Sequence, residues 1–148
     1  MVTSRGIFIG LGSNLGDRAA HIRDALRELA EAGDIQVVAC SRSHETDPVG
    51  GPPGQPRYLN AAAELVTDLA PRDLLARLLE IERRHGRQRS VPNAPRTLDL
   101  DLLLYRDRQI DEPGLHVPHP RMWDRPFVME PLAEICPPDR LHHPQRKA

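Results

Sequence analysis

A chain of 148 residues, 39% hydrophobic and 28% charged, has the make-up of one globular domain, expected over 1–148, with a core that needs no disulfides. Its apolar runs fall far short of the roughly 18 residues that cross a bilayer. No charged-then-apolar leader follows Met1, so a cytoplasmic protein without membrane contact is expected, and the net charge of -1 argues against a nucleic-acid partner.

Arg5–Leu11 reads as a short buried strand, closed by Gly10, Gly12, Ser13 and Asn14. Ala19, Ile22, Leu26 and Leu29 recur at helical spacing over Asp17–Ala32, and Gly33 is placed to end that helix in a left-handed cap. Ile35–Ser43 is a second strand. Asp47–Pro56 holds four Pro and three Gly and is a loop. Loops of that length in a small domain are usually functional or disordered. Tyr58–Thr67 is read as a third strand, although its three alanines would suit a helix equally. Pro71 opens a helix to about His85, with Leu74, Leu75, Leu78, Leu79 and Ile81 buried and Gly86 just past its end. An Arg- and Pro-rich loop, Arg87–Arg96, feeds a strand at Thr97–Tyr105. A short hairpin turn at Arg106–Asp107 leads to Gln109–Ile110, and a helical piece lies near Phe127–Ile135. The polar tail, 139–148, is expected to fray. The order strand, helix, strand, strand, helix, strand predicts an α+β, ferredoxin-like antiparallel sheet with helices packed on its faces.

The sharpest chemical signal is Arg96-Thr97-Leu98-Asp99-Leu100-Asp101-Leu102. Alternate residues of a strand share a face, so the leucines point into the core. Asp99 and Asp101 then point together to the other side, roughly 7 Å apart. Two like charges so placed repel, and Asp is a poor strand former. A divalent cation would offset that cost, and an acidic oxygen pair suits Mg2+, which fills its other positions with water and substrate phosphate. The alternative is a solvated strand face neutralised by neighbouring arginines. Arg83, Arg84, Arg87, Arg89 and Arg96 surround the pair in sequence, and of the 20 basic residues only Lys147 is not Arg. Phosphate held by this chain is therefore held by guanidinium, and the GxxxxGK[ST] loop is absent. Acidic metal ligands beside Arg are the general apparatus of phosphoryl transfer.

Tyr58 and Asn60 follow the Pro/Gly loop. An amide suits the edge of a flat heterocycle, and an aromatic ring suits its face. Phe127 is the natural second face; the alternative is that both rings are core. Gly10–Gly16 reads as a tight strand-to-helix turn, with Asn14 near the helix start. His119 stands in a Pro-rigid loop beside Arg121 and Arg125. Cys40 and Cys136 are too few and too far apart for a disulfide scaffold or a zinc site, and both are expected as buried free thiols.

These pieces, taken in order, resemble the 6-hydroxymethyl-7,8-dihydropterin pyrophosphokinase family of folate biosynthesis. They are GLGSNLGDR (10–18), ETDPVG (45–50), QPRYLNAA (55–62), Gly86–Arg87, PRTLDLDLLLY (95–105), VPHPRM (117–122) and RPFVMEPLAEI (125–135). The resemblance implies transfer of pyrophosphate from ATP to the pterin hydroxymethyl group, with AMP leaving. It implies two Mg2+ ions on Asp99 and Asp101. It assigns catalytic phosphate contacts to Arg87 and Arg96, and nucleotide contacts to Arg89, His119 and Glu82, the last facing the ATP side of the cleft. The pterin would be sandwiched by Tyr58 and Phe127, read at its edge by Asn60, and lined by Thr46, Pro48 and Val49, with Arg125 at the mouth. Segments 47–57 and 87–95 correspond to loops that close over substrates in that family. Pro92, Asn93 and Pro120 stand where the family usually differs. A monomer is expected.

Two other classes use parts of the same signal. A metal-dependent phosphatase or nuclease would employ the acidic pair to hydrolyse nucleotide without an acceptor. A ferredoxin-like RNA-binding module would need exposed aromatics and a basic patch, against 3% aromatics here.

Overall fold

Alternating apolar positions in the strands and helical spacing between them produce, in chain order, β1 (Ile7–Ser13), α1 (Arg18–Glu31), β2 (Ile35–Cys40), β3 (His44–Thr46), β4 (Tyr58–Thr67), α2 (Pro71–Arg84), β5 (Asp99–Tyr105), β6 (Ile110–Glu112), β7 (Leu115–Val117) and α3 (Pro126–Ala133). The structure is a computed structural model and describes residues 6–47, 53–86 and 97–141.

The main sheet runs β2-β4-β1-β5, with β3 also pairing β4, and every pairing is antiparallel. The connection β1-α1-β2 passes over β4, and β4-α2-β5 passes over β1. These are two interleaved split β-α-β units, the α+β arrangement expected from the element order. Ile22, Ala25 and Leu29 of α1 and Leu74, Leu78 and Ile81 of α2 pack on one face, against Ile7, Ile9, Leu11, Leu65, Leu98, Leu100 and Leu102. The opposite face holds a smaller cluster of Phe8, Ala62, Leu103, Leu104, Met122, Leu132 and Cys136. Phe8 pairs with Leu104 but Ile9 pairs with Leu102. Leu103 is thus an extra residue, a bulge that turns two successive leucines toward α3.

Local chemistry explains the helix ends. Asp17 caps α1 by accepting from the Ala20 N–H at 3.1 Å. Gly33 (φ +82) and Gly86 (φ +79) follow α1 and α2, in the left-handed conformation that glycine adopts without strain.

Several boundaries differ from expectation. The second strand ends at Cys40, and β3 begins at His44. Ser41 makes the kink between them, its N–H donating to the Ala62 carbonyl at 2.8 Å while its hydroxyl accepts from the Ala62 N–H at 2.9 Å. The ten-residue β4 therefore serves both pieces as partner. The segment at Gln109–Ile110 does not return on β5; β6 pairs instead with β7 around Gly114 (φ +74). Leu79 is exposed, because it points away from the sheet. Cys40 is exposed while Cys136 is buried, since Cys40 lies on an outward position of the edge strand. Fraying does not start at 139: Pro138–Arg140 is a 3-10 turn, and the Arg140 guanidinium donates to the Arg106 carbonyl. The rest of that tail, 142–148, lies outside the described residues.

Candidate active site

Gly10 and Gly12 do not form a turn; they lie inside β1, between β4 and β5. Gly10 is paired with Ala62 and Asp101, and Gly12 with Asn60 and Asp99. Cross-strand partners share a face, so two missing side chains stand in the row between the amide and the carboxylates. They floor a cavity of about 510 Å³ on the α3 side of the sheet.

The cavity gathers Thr46, Tyr58, Asn60, Asp99, Asp101, Arg125 and Phe127, seven of the residues singled out in the sequence. Leu98, Leu100 and Leu102 are buried on the other face, as the alternation requires, leaving the two carboxylates directed together into the cavity. Asn60 is itself buried and donates from Nδ2 to Thr46 Oγ1 at 2.6 Å. Its carboxamide is thereby oriented between β3 and Gly12. The Arg125 guanidinium lies 5.6 Å from the centre of the Phe127 ring, a cation–π contact that holds a positive charge within the cavity. Gln55 and Pro56, which lead into Tyr58, are anchored by the buried Asn14: its Nδ2 donates to Gln55 Oε1 at 3.0 Å and to the Pro56 carbonyl at 3.2 Å.

His119 is fixed beside the acidic pair. Its backbone N–H donates to the Leu103 carbonyl at 2.9 Å. Its Nδ1 accepts from the Arg121 N–H at 3.3 Å, which puts the proton of the neutral ring on Nε2, 3.9 Å from Asp101 Oδ1. Burial pushes the imidazole below its ordinary pKa; Arg125 adds to this, Asp99 opposes it, and Arg121 and His116 act with Arg125.

Glu82 is not among the residues that line this cavity: it is 2% exposed, and its Oε2 accepts from the Leu100 N–H at 2.7 Å. Its position on the inward side of α2 turns it beneath β5 instead. Arg83 and Arg84 are likewise turned away from the acidic pair. Arg83 and Arg84 pair with Glu80, which helical spacing puts within reach, and Arg84 also lies 3.7 Å from Glu28 of the neighbouring α1. Pro48, Val49, Arg87, Arg89 and Arg96 lie outside the described residues. Cavity-lining residues not assigned to the site from sequence include Gly10, Gly12, Asp47 and Asp124. For the glycines, a signal was present: two at i and i+2 within an apolar strand leave one face bare.

Among the described residues no group of three or more His, Cys, Asp and Glu converges as a metal site. Two carboxylates at alternate strand positions fit Mg2+, which takes one or two carboxylates and completes its shell with water and phosphate.

A family model described as 7,8-dihydro-6-hydroxymethylpterin-pyrophosphokinase matches residues 8–137. The chain is 46% identical over 129 residues to a 2-amino-4-hydroxy-6-hydroxymethyldihydropteridine pyrophosphokinase of Bacillus subtilis, covering 87% of this chain and 77% of that one. It is 43% identical over 143 residues to the Pseudomonas aeruginosa protein of the same name, covering 94% and 88%. A mitochondrial folate synthesis bifunctional protein of Arabidopsis thaliana is 44% identical over 133 residues, 90% of this chain but 24% of its own length. The match runs through every cavity-forming strand, and the chain belongs to the 7,8-dihydro-6-hydroxymethylpterin-pyrophosphokinase family.

Proposed function

We propose that this protein is a Mg2+-dependent transferase that moves pyrophosphate from ATP to the hydroxymethyl group of 6-hydroxymethyl-7,8-dihydropterin in folate biosynthesis. The observation that carries the reading is a single cavity in which Asn60, Thr46, Tyr58 and Phe127 lie on the same sheet face as Asp99 and Asp101. A flat heterocycle with a hydrogen-bonding edge fits the first group, and a metal-bound triphosphate fits the second.

The hydroxyl oxygen of the pterin attacks the β-phosphorus of ATP in line. The new O–P bond forms as the bond from the β-phosphorus to the α-phosphate oxygen breaks; AMP departs and the hydroxyl proton is released to solvent. Alignment and charge stabilisation carry such a reaction. Asn60 and Thr46 bind the ring edge, the Tyr58 and Phe127 rings its faces, and Arg125 supplies a cation at the mouth. The Nε2–H of His119 is aimed at the phosphate side of Asp101 and donates to a phosphate oxygen. Arg87, Arg89 and Arg96 neutralise the remaining phosphate charge. Asp99 and Asp101 would hold two Mg2+ ions, which when bound supply charge neutralisation on the phosphates.

The protein is proposed to act as a cytoplasmic monomer; no helix among the described residues is long and apolar enough to cross a membrane. The test is incubation with Mg2+, ATP and 6-hydroxymethyl-7,8-dihydropterin. AMP and the pterin diphosphate should appear in equal amounts and only when both substrates are present. Release of ADP or phosphate without pterin would overturn the reading in favour of a hydrolase.

A further inference from the structure

The row of paired residues that crosses the cavity floor does not stop at Asn60. His44 of β3 is the cross-strand partner of Asn60, so it stands on the same face, at the outer end of the row. Its Nε2 meets Oε2 of Glu134 at 2.5 Å, a contact between groups 90 positions apart in the chain. The other carboxylate oxygen of Glu134, Oε1, accepts from the Arg42 N–H at 2.9 Å, and the Arg42 guanidinium lies 3.6 Å from Oε2. The His44 and Glu134 side chains are only 21% and 25% exposed. The Arg42 N–H and the His44 ring hold the Glu134 carboxyl below its ordinary range.

What this carboxylate joins is the point. Glu134 is the C-terminal cap residue of α3, whose first turn carries Phe127 into the cavity. Helical rise puts the two residues about 10 Å apart on one rigid segment. His44 lies two residues before Thr46, the hydroxyl that accepts from Asn60, at a strand distance of about 6–7 Å. The two walls of the heterocycle slot, β3 with Thr46 and α3 with Phe127, are thus bridged at their far ends by a charge-assisted contact.

We propose that His44 and Glu134 are positioning residues for the pterin: their contact sets the spacing between the wall that binds the ring edge and the wall that covers its face. Neither touches the substrate. The inference rests on the pyrophosphokinase reading, and on nothing about the nucleotide half of the site.

The experiment is steady-state kinetics of AMP formation on the full chain, varying pterin and ATP separately. His44→Ala and Glu134→Ala should each raise KM for the pterin by roughly tenfold, since small misplacements of binding groups are costly, while KM for ATP stays within about twofold of wild type. The double variant should be no worse than either single one, because residues in one network are not additive. Glu134→Gln, which keeps an oxygen acceptor for the Arg42 N–H and sets an amide N–H donor against the neutral His44 ring, should recover most of the pterin affinity. An unchanged pterin KM in folded His44→Ala overturns the proposal. So does a parallel rise in both KM values with a falling Tm, which marks a purely structural contact. If Glu134→Ala does not fold, having stranded the Arg42 N–H, His44→Ala alone decides. Wild-type protein that forms no AMP from the two substrates fails the functional reading itself, a result separate from any behaviour of the variants.

Discussion

Gly12 stands directly across from Asn60 on one side and Asp99 on the other, and a methyl group added to it would sit 3.0 Å from Asn60 Oδ1. That is closer than the oxygen of an amide fixed through its Nδ2 to Thr46 can accommodate without moving. Gly12→Ala should therefore displace the Asn60 amide and raise KM for the pterin by about tenfold, an overpacking penalty of about 1–3 kcal/mol. Gly10→Ala meets only Leu103 atoms at 3.6 Å or more and should be milder. Pterin titrations of the two variants check the order.

Asp99→Asn and Asp101→Asn remove one charge each from the carboxylates lining the cavity. Each should lower kcat by about a hundredfold or more, the scale of losing one electrostatic contact to the transition state, and raise the Mg2+ concentration needed for half-maximal rate. AMP formation followed across a Mg2+ titration is the measurement. Near-normal rates at ordinary Mg2+ would reject the metal assignment.

Glu82 holds the backbone of β5 from below, through the Leu100 N–H. Glu82→Ala leaves that buried donor without its acceptor and should cost about 1.5–3 kcal/mol of stability. Glu82→Gln retains an acceptor and should cost less. Urea unfolding of both variants gives the comparison.

Among the described residues four carboxyls are held below their ordinary range: Asp34 by hydrogen bonding to Arg77, Glu45 by hydrogen bonding to Arg18, Glu80 by hydrogen bonding to Arg83, and Glu134 by the Arg42 N–H and His44. A depressed folded pKa means that the unfolded chain binds more protons. The stabilisation is present above the unfolded values of 3.8 for Asp and 4.5 for Glu and is lost as pH falls through the folded ones. Arg77→Gln breaks the paired contacts at 3.0 and 2.8 Å to Asp34. Its deficit in urea midpoint relative to wild type should be visible at neutral pH and close as Asp34 becomes protonated in both proteins.

Burial raises the Cys136 thiol to about 11, so almost no thiolate is available near neutrality. Cys40 is exposed, though its thiol too is raised by partial burial and by Glu134. A thiol-specific reagent at mildly alkaline pH should modify Cys40 in the native protein, slowly, and Cys136 only after denaturation. Mass spectrometry of the labelled peptides distinguishes the two.

Much of the secondary structure was legible because each element carries its own signal. Tyr58–Thr67 and the start of α2 at Pro71 stand where expected, and the leucine alternation around Asp99 and Asp101 announced which way the carboxylates face. The differences lie where local patterns are silent. The family resemblance set Glu82 toward the ATP side of the cleft, and helical spacing by itself does not show that it also holds the backbone of β5. His44–Thr46 is too short to show an alternation, and only its pairing with β4 makes it a strand.

By itself, the sequence determined the element order, the acidic pair on one strand face, and the family resemblance that joins them, because period-two and helical patterns are properties of consecutive residues. Tertiary structure decided the rest. It made Gly10 and Gly12 a cavity floor by setting them between two strands, drew Glu82 under β5, and brought Glu134 to His44 across 90 positions. Those outcomes depend on which strands become neighbours and in what register, and that is settled by packing between distant segments rather than by the spacing along any one of them.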